Sequence, residues 1–531
     1  MRQPHRAFHG PAPHPDHGRR RPAARRGSHR DGGLCPVRSR QLRPSLRRGD
    51  RQRVDTAHAV LLRAGRVGGH LRAAARVPTA AGARRLERGR PERTGRMMGG
   101  TEIALLGFAA LLVLLLIRVP VGLAMLLVGL AGIAGIRPGA VVPVVAGEMF
   151  AVSSRYPLTI LPLFMLMGNL AVVSGMSHDL YRAAHGWLSR VRGSLASASI
   201  IACAGFSALS GSSLAAALTM GRVSLPEMRR FRYDDSLATG AIAAGGTLGI
   251  LIPPSAGLVI YGIITEESIG RLFMAGVLPG ILLTLLFVLA VWIVVRRDPD
   301  KAPYSRAPVS WRDRLRATGR ALWILGIVIV TIGGIYAGIF SAIEAAGVGA
   351  MLTLIAAAVR RALNRKTVVE VVGATLKASG TAFLVLAGAF VFKVFLGLSG
   401  IAFVASEWVG QQGFSGAQVV ALVLVMFIVL GTFLDGFAML VLTVPLVQPI
   451  LESLGVNMIW FGVMIVITLE MGLISPPVGL NIFVVKGVAP DVPVRTMFRG
   501  IAPFWLALLA ALILIALLPG LATDLPNAMY G

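Results

Sequence analysis

Apolar runs recur along most of this chain from about residue 102 onward, with short charged loops between them. The clearest are Ile103–Ile117, Val119–Ile136, Pro157–Gly175, Leu272–Val295, Ala321–Ile343 and Ile501–Leu518. Nearly all of them hold about 17–25 residues, the length that a helix needs to cross a hydrocarbon core of roughly 30 Å. Surface helices of a soluble protein would show a polar face at helical period, and most of these runs show none. We therefore expect an all-α polytopic membrane protein rather than the buried helices of a large soluble one.

Residue types that usually carry enzymatic chemistry are scarce in this sequence. Its two cysteines, Cys35 and Cys203, cannot form a disulfide framework or a metal cluster. No phosphate loop, zinc signature or nucleophile elbow is present. The two histidines that follow residue 97, His178 and His185, fall in a predicted cytoplasmic arm rather than at membrane depth. We therefore predict no enzyme activity, no cofactor and no ATP site, so that any transport must use an ion gradient or the energy of a partner.

Residues 1–96 differ in composition from the rest of the chain. They contain 25 arginines, no lysine and seven of the nine histidines. Three interpretations are open: an arm that binds nucleic acid, a transit peptide, or translated sequence upstream of a true start at Met97 or Met98. Transit peptides are usually rich in serine, and this segment is not. We favour the third interpretation, in which the segment is disordered, is not native and binds no nucleic acid.

This basic segment is therefore expected to be dispensable. A chain that starts at Met97 should reach the membrane and transport as well as the full-length chain, because the predicted membrane region follows that residue. Membrane abundance and uptake, measured for both chains, test the expectation. Loss of transport by the shorter chain at equal abundance would contradict it.

The basic loops predict how the chain is oriented in the membrane. Cytoplasmic loops are enriched in Lys and Arg, and a dense basic connector spans residues 301–320. With that connector in the cytoplasm, a first membrane repeat covers residues 97–300, and a re-entrant hairpin at 195–221 enters from the inside. A second repeat, 321–531, runs with inverted orientation, and its re-entrant hairpin at 417–450 enters from the outside.

The two halves share a local pattern at a constant spacing of 223 residues. Gly249–Pro254 and Gly472–Pro477 both read Gly-x-x-x-Pro-Pro. At the same spacing, the tip of the first hairpin, Ser210–Ser213, corresponds to Phe433–Gly436 in the second. One shared string would be weak evidence, since apolar sequences repeat by chance. Several features at one spacing, in segments of opposite orientation, favour an inverted repeat.

A Pro-Pro pair inside a membrane span interrupts the helix, because proline has no amide donor and clashes with the preceding turn. Interrupted backbone at membrane depth is tolerated where it lines a cavity or is buried in protein, and its carbonyls and half-helix ends can bind cations and carboxylates. Sodium suits such an all-oxygen shell, and we predict no other metal. The alternative interpretation is that the prolines only kink the helices for packing. The predicted breaks are Pro253, Pro254, Pro476 and Pro477, and the predicted sodium ligands are Ser210, Gly211, Ser212, Gly249, Ile252, Thr432, Gly472 and Ser475.

Three charged side chains lie in apolar segments, where charge is costly and functional roles are common. Asp435, at the second hairpin tip, is the strongest candidate and could hold the polar network of a substrate site or lie near an ion. Lys393 could attract a carboxylate or could extend to the outer interface. Glu470 could bind a proton or a cation, or could belong to a structural pair. Together with nearby polar residues, the predicted substrate ligands are Ser213, Ser255, Asp435, Lys393 and Asn481.

Seven strings in the membrane region form a characteristic combination: Ser210–Ser213, Gly249–Ser255, Tyr261–Gly270, Ala275–Gly280, Ile343–Gly347, Phe433–Asp435 and Ser475–Asn481. The combination resembles the large permease subunit of the tripartite ATP-independent periplasmic (TRAP) transporters, the DctM-like proteins. The resemblance covers about residues 98–522. One departure lies at Phe340–Ala345, where the family often has a Thr-Pro-Thr-Glu-Ala-Ala-like string, and it leaves the role of Glu344 open.

The resemblance implies an elevator-type importer that is driven by sodium and lies in a bacterial inner membrane. It also implies two partners, a small membrane subunit and a periplasmic binding protein that delivers a small carboxylate such as a dicarboxylate, a keto acid or a sugar acid. Residues 1–96 contain no membrane span, so the small subunit should be a separate chain. The alternative is a stand-alone carboxylate symporter or ion antiporter of similar fold, which the absence of a neighbouring binding-protein gene would favour.

Overall fold

The computed structural model describes residues 99–303 and 309–530. Within these ranges the chain forms twenty α-helices and no strand. The predictions for residues 1–96 and for a start at Met97 or Met98 lie outside the described residues. The helices are α1 Gly100–Leu116, α2 Val121–Ile136, α3 Val141–Ser154, α4 Ile160–Val173, α5 Met176–Leu188, α6 Ser194–Ser210, α7 Ser213–Arg230, α8 Asp235–Leu251, α9 Ala256–Thr265, α10 Ile269–Arg297, α11 Trp311–Tyr336, α12 Ala342–Val359, α13 Arg365–Ser399, α14 Ile401–Gln411, α15 Gly416–Gly431, α16 Gly436–Ser453, α17 Met458–Leu473, α18 Leu480–Val488, α19 Val494–Leu517 and α20 Gly520–Tyr530.

Eight segments of the described chain are long and apolar enough to cross a membrane, by length and composition. Shorter apolar helices accompany them, among them α6, α15 and α17. The 16 residues of α17 rise only about 24 Å, which is less than a hydrocarbon core of roughly 30 Å. The all-helical, multi-pass class that the apolar runs predict is confirmed. The short helices α6 and α15 belong to the hairpins, and α17 belongs to an interrupted helix.

One predicted span has different boundaries in the structure. The run Ala321–Ile343 covers the end of α11 and the beginning of α12, because the chain turns at Gly338, which has a positive φ of 69°. α12 then starts with a capping box in which Ser341 and Glu344 bind each other's backbone amides. Moreover, α11 already begins at Trp311, inside the predicted basic connector. The loop between the halves is therefore shorter than its composition suggests.

Four short helices, α3, α5, α14 and α20, lie outside the six apolar runs and both predicted hairpins. They contain 11 to 14 residues, too few to cross a bilayer alone. α5 packs Leu180 against Gly205 of the first hairpin. On its other side, Arg360 at the end of α12 bonds to Asp179 Oδ2 at 2.6 Å and to the Ser174 carbonyl at 3.3 Å. This arm therefore holds the hairpin against the helices that surround it.

Both halves contain the same order of elements. Helices α6 and α7 form a hairpin with Gly211–Ser212 at its tip, and α15 and α16 form a second one with residues 432–435 at its tip. After each hairpin comes an interrupted helix, α8/α9 in the first half and α17/α18 in the second, and each interruption contains a cis Pro-Pro bond. A long helix, α10 or α19, closes each set. The shared elements are thus the ones that carry the predicted tips and breaks.

The first interrupted helix is anchored to the second half of the chain by close backbone packing. A Cβ on Gly500 of α19 would lie 1.9 Å from the Ser236 carbonyl oxygen of α8. A Cβ on Gly240 would lie 2.4 Å from the Gly500 carbonyl oxygen. Side chains at either glycine would force the helices apart, so this crossing fixes the position of α8 and of the break at its end.

Candidate ion and substrate site

The tip of the first hairpin touches the first helix break through backbone atoms. A Cβ on Gly249 would lie 2.6 Å from the Ser212 carbonyl oxygen and 2.7 Å from the Ser213 nitrogen. Gly211 has a positive φ of 58°, and its carbonyl accepts a 3.3 Å hydrogen bond from the amide of Ala256. The structure therefore brings together three predicted sodium ligands, Gly211, Ser212 and Gly249.

The prolines of this break remove hydrogen-bond donors from the end of α8. In a continuous helix the amides at positions 253 and 254 would bond to the carbonyls of Gly249 and Ile250, and proline has no amide to donate. The Ser255 hydroxyl replaces one donor by bonding to the Ile250 carbonyl. The Gly249 carbonyl gains no such replacement among these residues. Ile252 has an extended backbone (φ −76°, ψ 122°), so its carbonyl also lies beyond the helix end.

The serine hydroxyls around this contact differ in what they bind. Ser210 Oγ is buried and forms no hydrogen bond within the described part of the chain. Ser212 caps α7 by accepting a 3.4 Å hydrogen bond from an amide of the first turn. Ser255 caps α9 in the same way, through the Leu258 amide at 3.2 Å. Ser210 therefore keeps its full capacity for a ligand, whereas Ser255 is committed to closing the break.

The second tip and the second break also meet through glycines. A Cβ on Gly472, in the last turn of α17, would lie 2.7 Å from the Cα of Gly431 at the end of α15. The Gly472 carbonyl accepts a 3.0 Å bond from the Ser475 amide. Thr432, at the tip, donates its hydroxyl to the carbonyl of Val429 at 2.8 Å. Three further predicted ligands, Thr432, Gly472 and Ser475, thus belong to one contact region.

Ser475, which corresponds to Ile252 at the 223-residue spacing, forms two hydrogen bonds through its hydroxyl. Its Oγ donates to the Met471 carbonyl at 2.6 Å and accepts from the indole nitrogen of Trp505 at 2.9 Å. The hydroxyl oxygen keeps one lone pair. Ser475 at the second break can therefore still bind a cation, and the indole of Trp505 in α19 is hydrogen-bonded to the same hydroxyl.

Asp435 is the N-cap residue of α16. Its carboxyl faces the amides of Gly436, Phe437 and Ala438 without completing a regular cap hydrogen bond. The Asp435 side chain is exposed. Asp435 is thus placed where a ligand could reach it.

Glu470 joins the two halves at this site. It lies in α17, is 0% exposed, and accepts a hydrogen bond from the hydroxyl of Ser213 at the first hairpin tip. The fully buried Asn481 side chain lies beside the same carboxyl, and Asp435 interacts with it electrostatically. Neither the Asn481 amide nor Glu470 Oε2 completes a regular hydrogen bond. One carboxyl therefore meets the first tip and the second break, with Asp435 of the second tip close enough to interact electrostatically.

Two other predicted or open positions are placed elsewhere. Lys393 donates to the Ile264 carbonyl at 3.4 Å, next to Thr265, whose carbonyl is bonded by Gln448 of α16. Gln448 is about 18 Å along α16 from the tip, so Lys393 lies apart from Asp435. Glu344 is exposed and bonds to the amide and hydroxyl of Ser341. Its role in the structure is to cap α12.

The matching family model and the sequence relatives agree on one family. Residues 108–521 match the family model described as "Tripartite ATP-independent periplasmic transporter, DctM component". The chain is 34% identical to the C4-dicarboxylate TRAP transporter large permease protein DctM of Pseudomonas aeruginosa, over 72% of this chain and 88% of that protein. It is 35% identical to the Vibrio cholerae protein of the same description, over 73% and 89%. With the Vibrio cholerae sialic acid TRAP transporter large permease protein SiaM it shares 30% identity, over 79% and 97%.

Proposed function

Because this chain belongs to the DctM family of TRAP transporter large permease subunits, we propose that it is the membrane subunit of a sodium-coupled importer of small organic acids. The observation that carries the proposal is the contact of each hairpin tip with the break of its own half, at Gly249 and at Gly472. At the first contact, two oxygens lack a hydrogen-bond partner among these residues, the Ser210 hydroxyl and the Gly249 carbonyl, whose helical donor is replaced by proline. Each such group costs roughly 1–3 kcal/mol if it stays buried and unpaired, and a bound cation would satisfy it.

The first sodium site is assigned to the oxygens with the most free capacity. They are the Ser210 hydroxyl and the Gly249 carbonyl, supported by the neighbouring backbone of Gly211, Ser212 and Ile252. The second site uses Thr432, Gly472 and Ser475, whose oxygens already take part in local bonds. Both sets contain neutral oxygen donors only, which suits a hard monovalent cation rather than a transition metal.

The substrate is assigned to the space between the tips. Asp435 is the exposed member of its polar contacts, and Ser213 and Asn481 are the buried members. The amides that begin α7 and α16 can receive a carboxylate. Cations at the neighbouring sites would counter the charge of Asp435. The relatives named for C4-dicarboxylate and for sialic acid favour a carboxylate cargo. Lys393 and Ser255, which the sequence included, are left out of this set, because one lies apart from the tip and the other closes the break.

Transport itself is assigned to movement of the hairpins together with the interrupted helices. Each tip contacts the break of its own half by backbone atoms, so neither element can move far without the other. We propose that the two sets form inverted repeats with re-entrant hairpins and that they move as an elevator inside the remaining helices. Sodium would couple to substrate by stabilising the tip geometry that binds it, which is a difference in affinity between states.

Two partners and a location complete the proposal. The chain would work in a bacterial inner membrane with a small membrane subunit, supplied as a separate chain, and with a periplasmic binding protein. The relatives carry the description of large permease proteins, which implies a smaller companion. The binding protein would select the cargo first, and the site described above would receive it.

Reconstitution tests this function. Permease and small subunit in liposomes should import the acid that binds to the partner binding protein, with screening started from C4-dicarboxylates and sialic acid. Uptake should require both an inward sodium gradient and the binding protein, because the tip sites need the cation to hold their geometry. An equal potassium gradient is the control. Sodium-driven uptake without the binding protein would instead identify a stand-alone symporter. Uptake without sodium would show that sodium is not the coupling ion.

A further inference from the structure

The hydrogen bond between Ser213 and Glu470 connects the two halves of the site directly. Ser213 is the first residue of α7 and follows Ser212, which contacts the first break. Glu470 lies in the last turn of α17, two positions before Gly472, which contacts the second tip. The bond therefore runs from the region of one proposed cation site to the region of the other, across residues that are 257 apart in sequence.

The environment of Glu470 makes this bond sensitive to small displacements. Both side chains are almost completely buried, with Ser213 1% and Glu470 0% exposed, so water cannot replace the bond when it breaks. Asn481, beside the carboxyl, belongs to the first turn of α18 after the second break. A shift of the first tip would thus reach both half-helices of the second break through one carboxyl.

On the basis of the proposed function, we infer that Glu470 is a positioning residue that couples the two cation sites, so that sodium at one tip raises the sodium affinity of the other. A cation at the first site fixes the tip and hence Ser213. Ser213 then holds Glu470 and, with it, the end of α17 in the geometry that the second site needs. Coupling of this kind is reciprocal in binding free energy and is typically worth about 5- to 150-fold in affinity.

Trp505 offers a local reporter for the second site. Its indole nitrogen donates to Ser475 Oγ at 2.9 Å, so sodium binding at the second break should change its fluorescence. The part of the signal that belongs to this residue is the difference between the full chain and a Trp505→Phe variant. The measurement needs neither substrate nor partner proteins.

Substitution at the first tip should then alter the response at the second. Ser213→Ala is expected to raise the sodium concentration that half-saturates the Trp505 signal by about 5-fold or more and to lower the Hill coefficient of sodium-driven uptake towards one. Glu470→Gln should act in the same direction, and the double variant should be no worse than the stronger single one, because both break one link. Ser213→Thr keeps the hydroxyl and should restore much of the response.

Ser199→Ala is the matched control, because it removes a buried 3.0 Å hydrogen bond to Ser224 inside the same hairpin that does not connect the halves. It should leave the Trp505 response and the Hill coefficient unchanged. An unshifted Trp505 response in folded Ser213→Ala, additive effects in the double variant, or a Hill coefficient of one in the unmodified protein would each overturn the coupling. Uptake that ignores sodium in the unmodified protein would instead overturn the proposed function itself.

Discussion

Gly249→Leu is expected to abolish transport. Even the first carbon of a side chain at this position would lie 2.6 Å from both the carbonyl carbon and the carbonyl oxygen of Ser212, and backbone atoms cannot move aside as the end of a flexible side chain can. The first hairpin tip would be driven off the break, and the oxygens of Ser210 and Gly249 could no longer form the proposed cation site. Uptake into liposomes under a saturating sodium gradient measures the loss. Gly472→Leu should do the same at the second break, where the obstacle is the Cα of Gly431.

A matched substitution separates this effect from the general burden of an added side chain. Gly380→Leu places the same group on α13, where a Cβ meets nothing within 4 Å, and it should transport normally. Gly249→Ala introduces the same clash with the smallest side chain and should also impair uptake. It keeps the test usable if the Gly249→Leu protein inserts poorly into the membrane. Normal uptake by Gly249→Ala and Gly249→Leu at normal abundance would show that the tip and the break need not touch during transport.

The positions of these glycines could be predicted from the sequence because backbone chemistry is written directly in residue type. Proline removes a donor wherever it stands, and glycine is the residue that permits close backbone approach. A constant spacing between two such strings therefore indicated where helices would be interrupted, and the structure ends α8 at Leu251 and α17 at Leu473. The apolar runs indicated the membrane class for a similar reason, since span length depends only on bilayer thickness.

Side-chain partnerships could not be predicted in the same way. Glu470 could be singled out as an acid in an apolar helix, but its role stayed open because sequence does not show which face of α17 meets the first hairpin. Charge alone makes Lys393 a substrate candidate or an interface residue, and the sequence does not show that its amine donates to the Ile264 carbonyl. The start of α12 depends on a local cap formed by Ser341. A hydropathy average over many residues does not resolve such a cap.

The two proposed cation sites are unlike each other despite the shared pattern. At the first, Ser210 Oγ has no hydrogen bond in the described part of the chain, and two prolines have removed the donors that would serve Gly249 and Ile250. At the second, Ser475 is held between the Met471 carbonyl and the Trp505 indole. A protein oxygen that is already held in one orientation loses less entropy when it binds a cation. We therefore expect the second site to be the more preorganised one and the first to depend more on the cation for its shape.

Asp435→Ala is expected to reduce uptake by roughly 10- to 100-fold at normal membrane abundance. Hydrogen bonds to charged groups contribute about 1.5–3 kcal/mol, which corresponds to this range of fold-changes in uptake. The Asp435 carboxyl lies at the second tip beside the amides of Gly436–Ala438, where a ligand can reach it. Initial rates measured against substrate and against sodium concentration assign the loss. A higher KM for the transported substrate would show that Asp435 binds the substrate, and weaker activation by sodium would show that it binds the ion. Glu407→Ala is the control, since Glu407 is an exposed acid on the short helix α14, outside the hairpins and breaks, and it should transport normally. Equal uptake by both variants would mean that the acid at the second tip takes no part in binding, and the space between the tips would then lose its best-placed ligand.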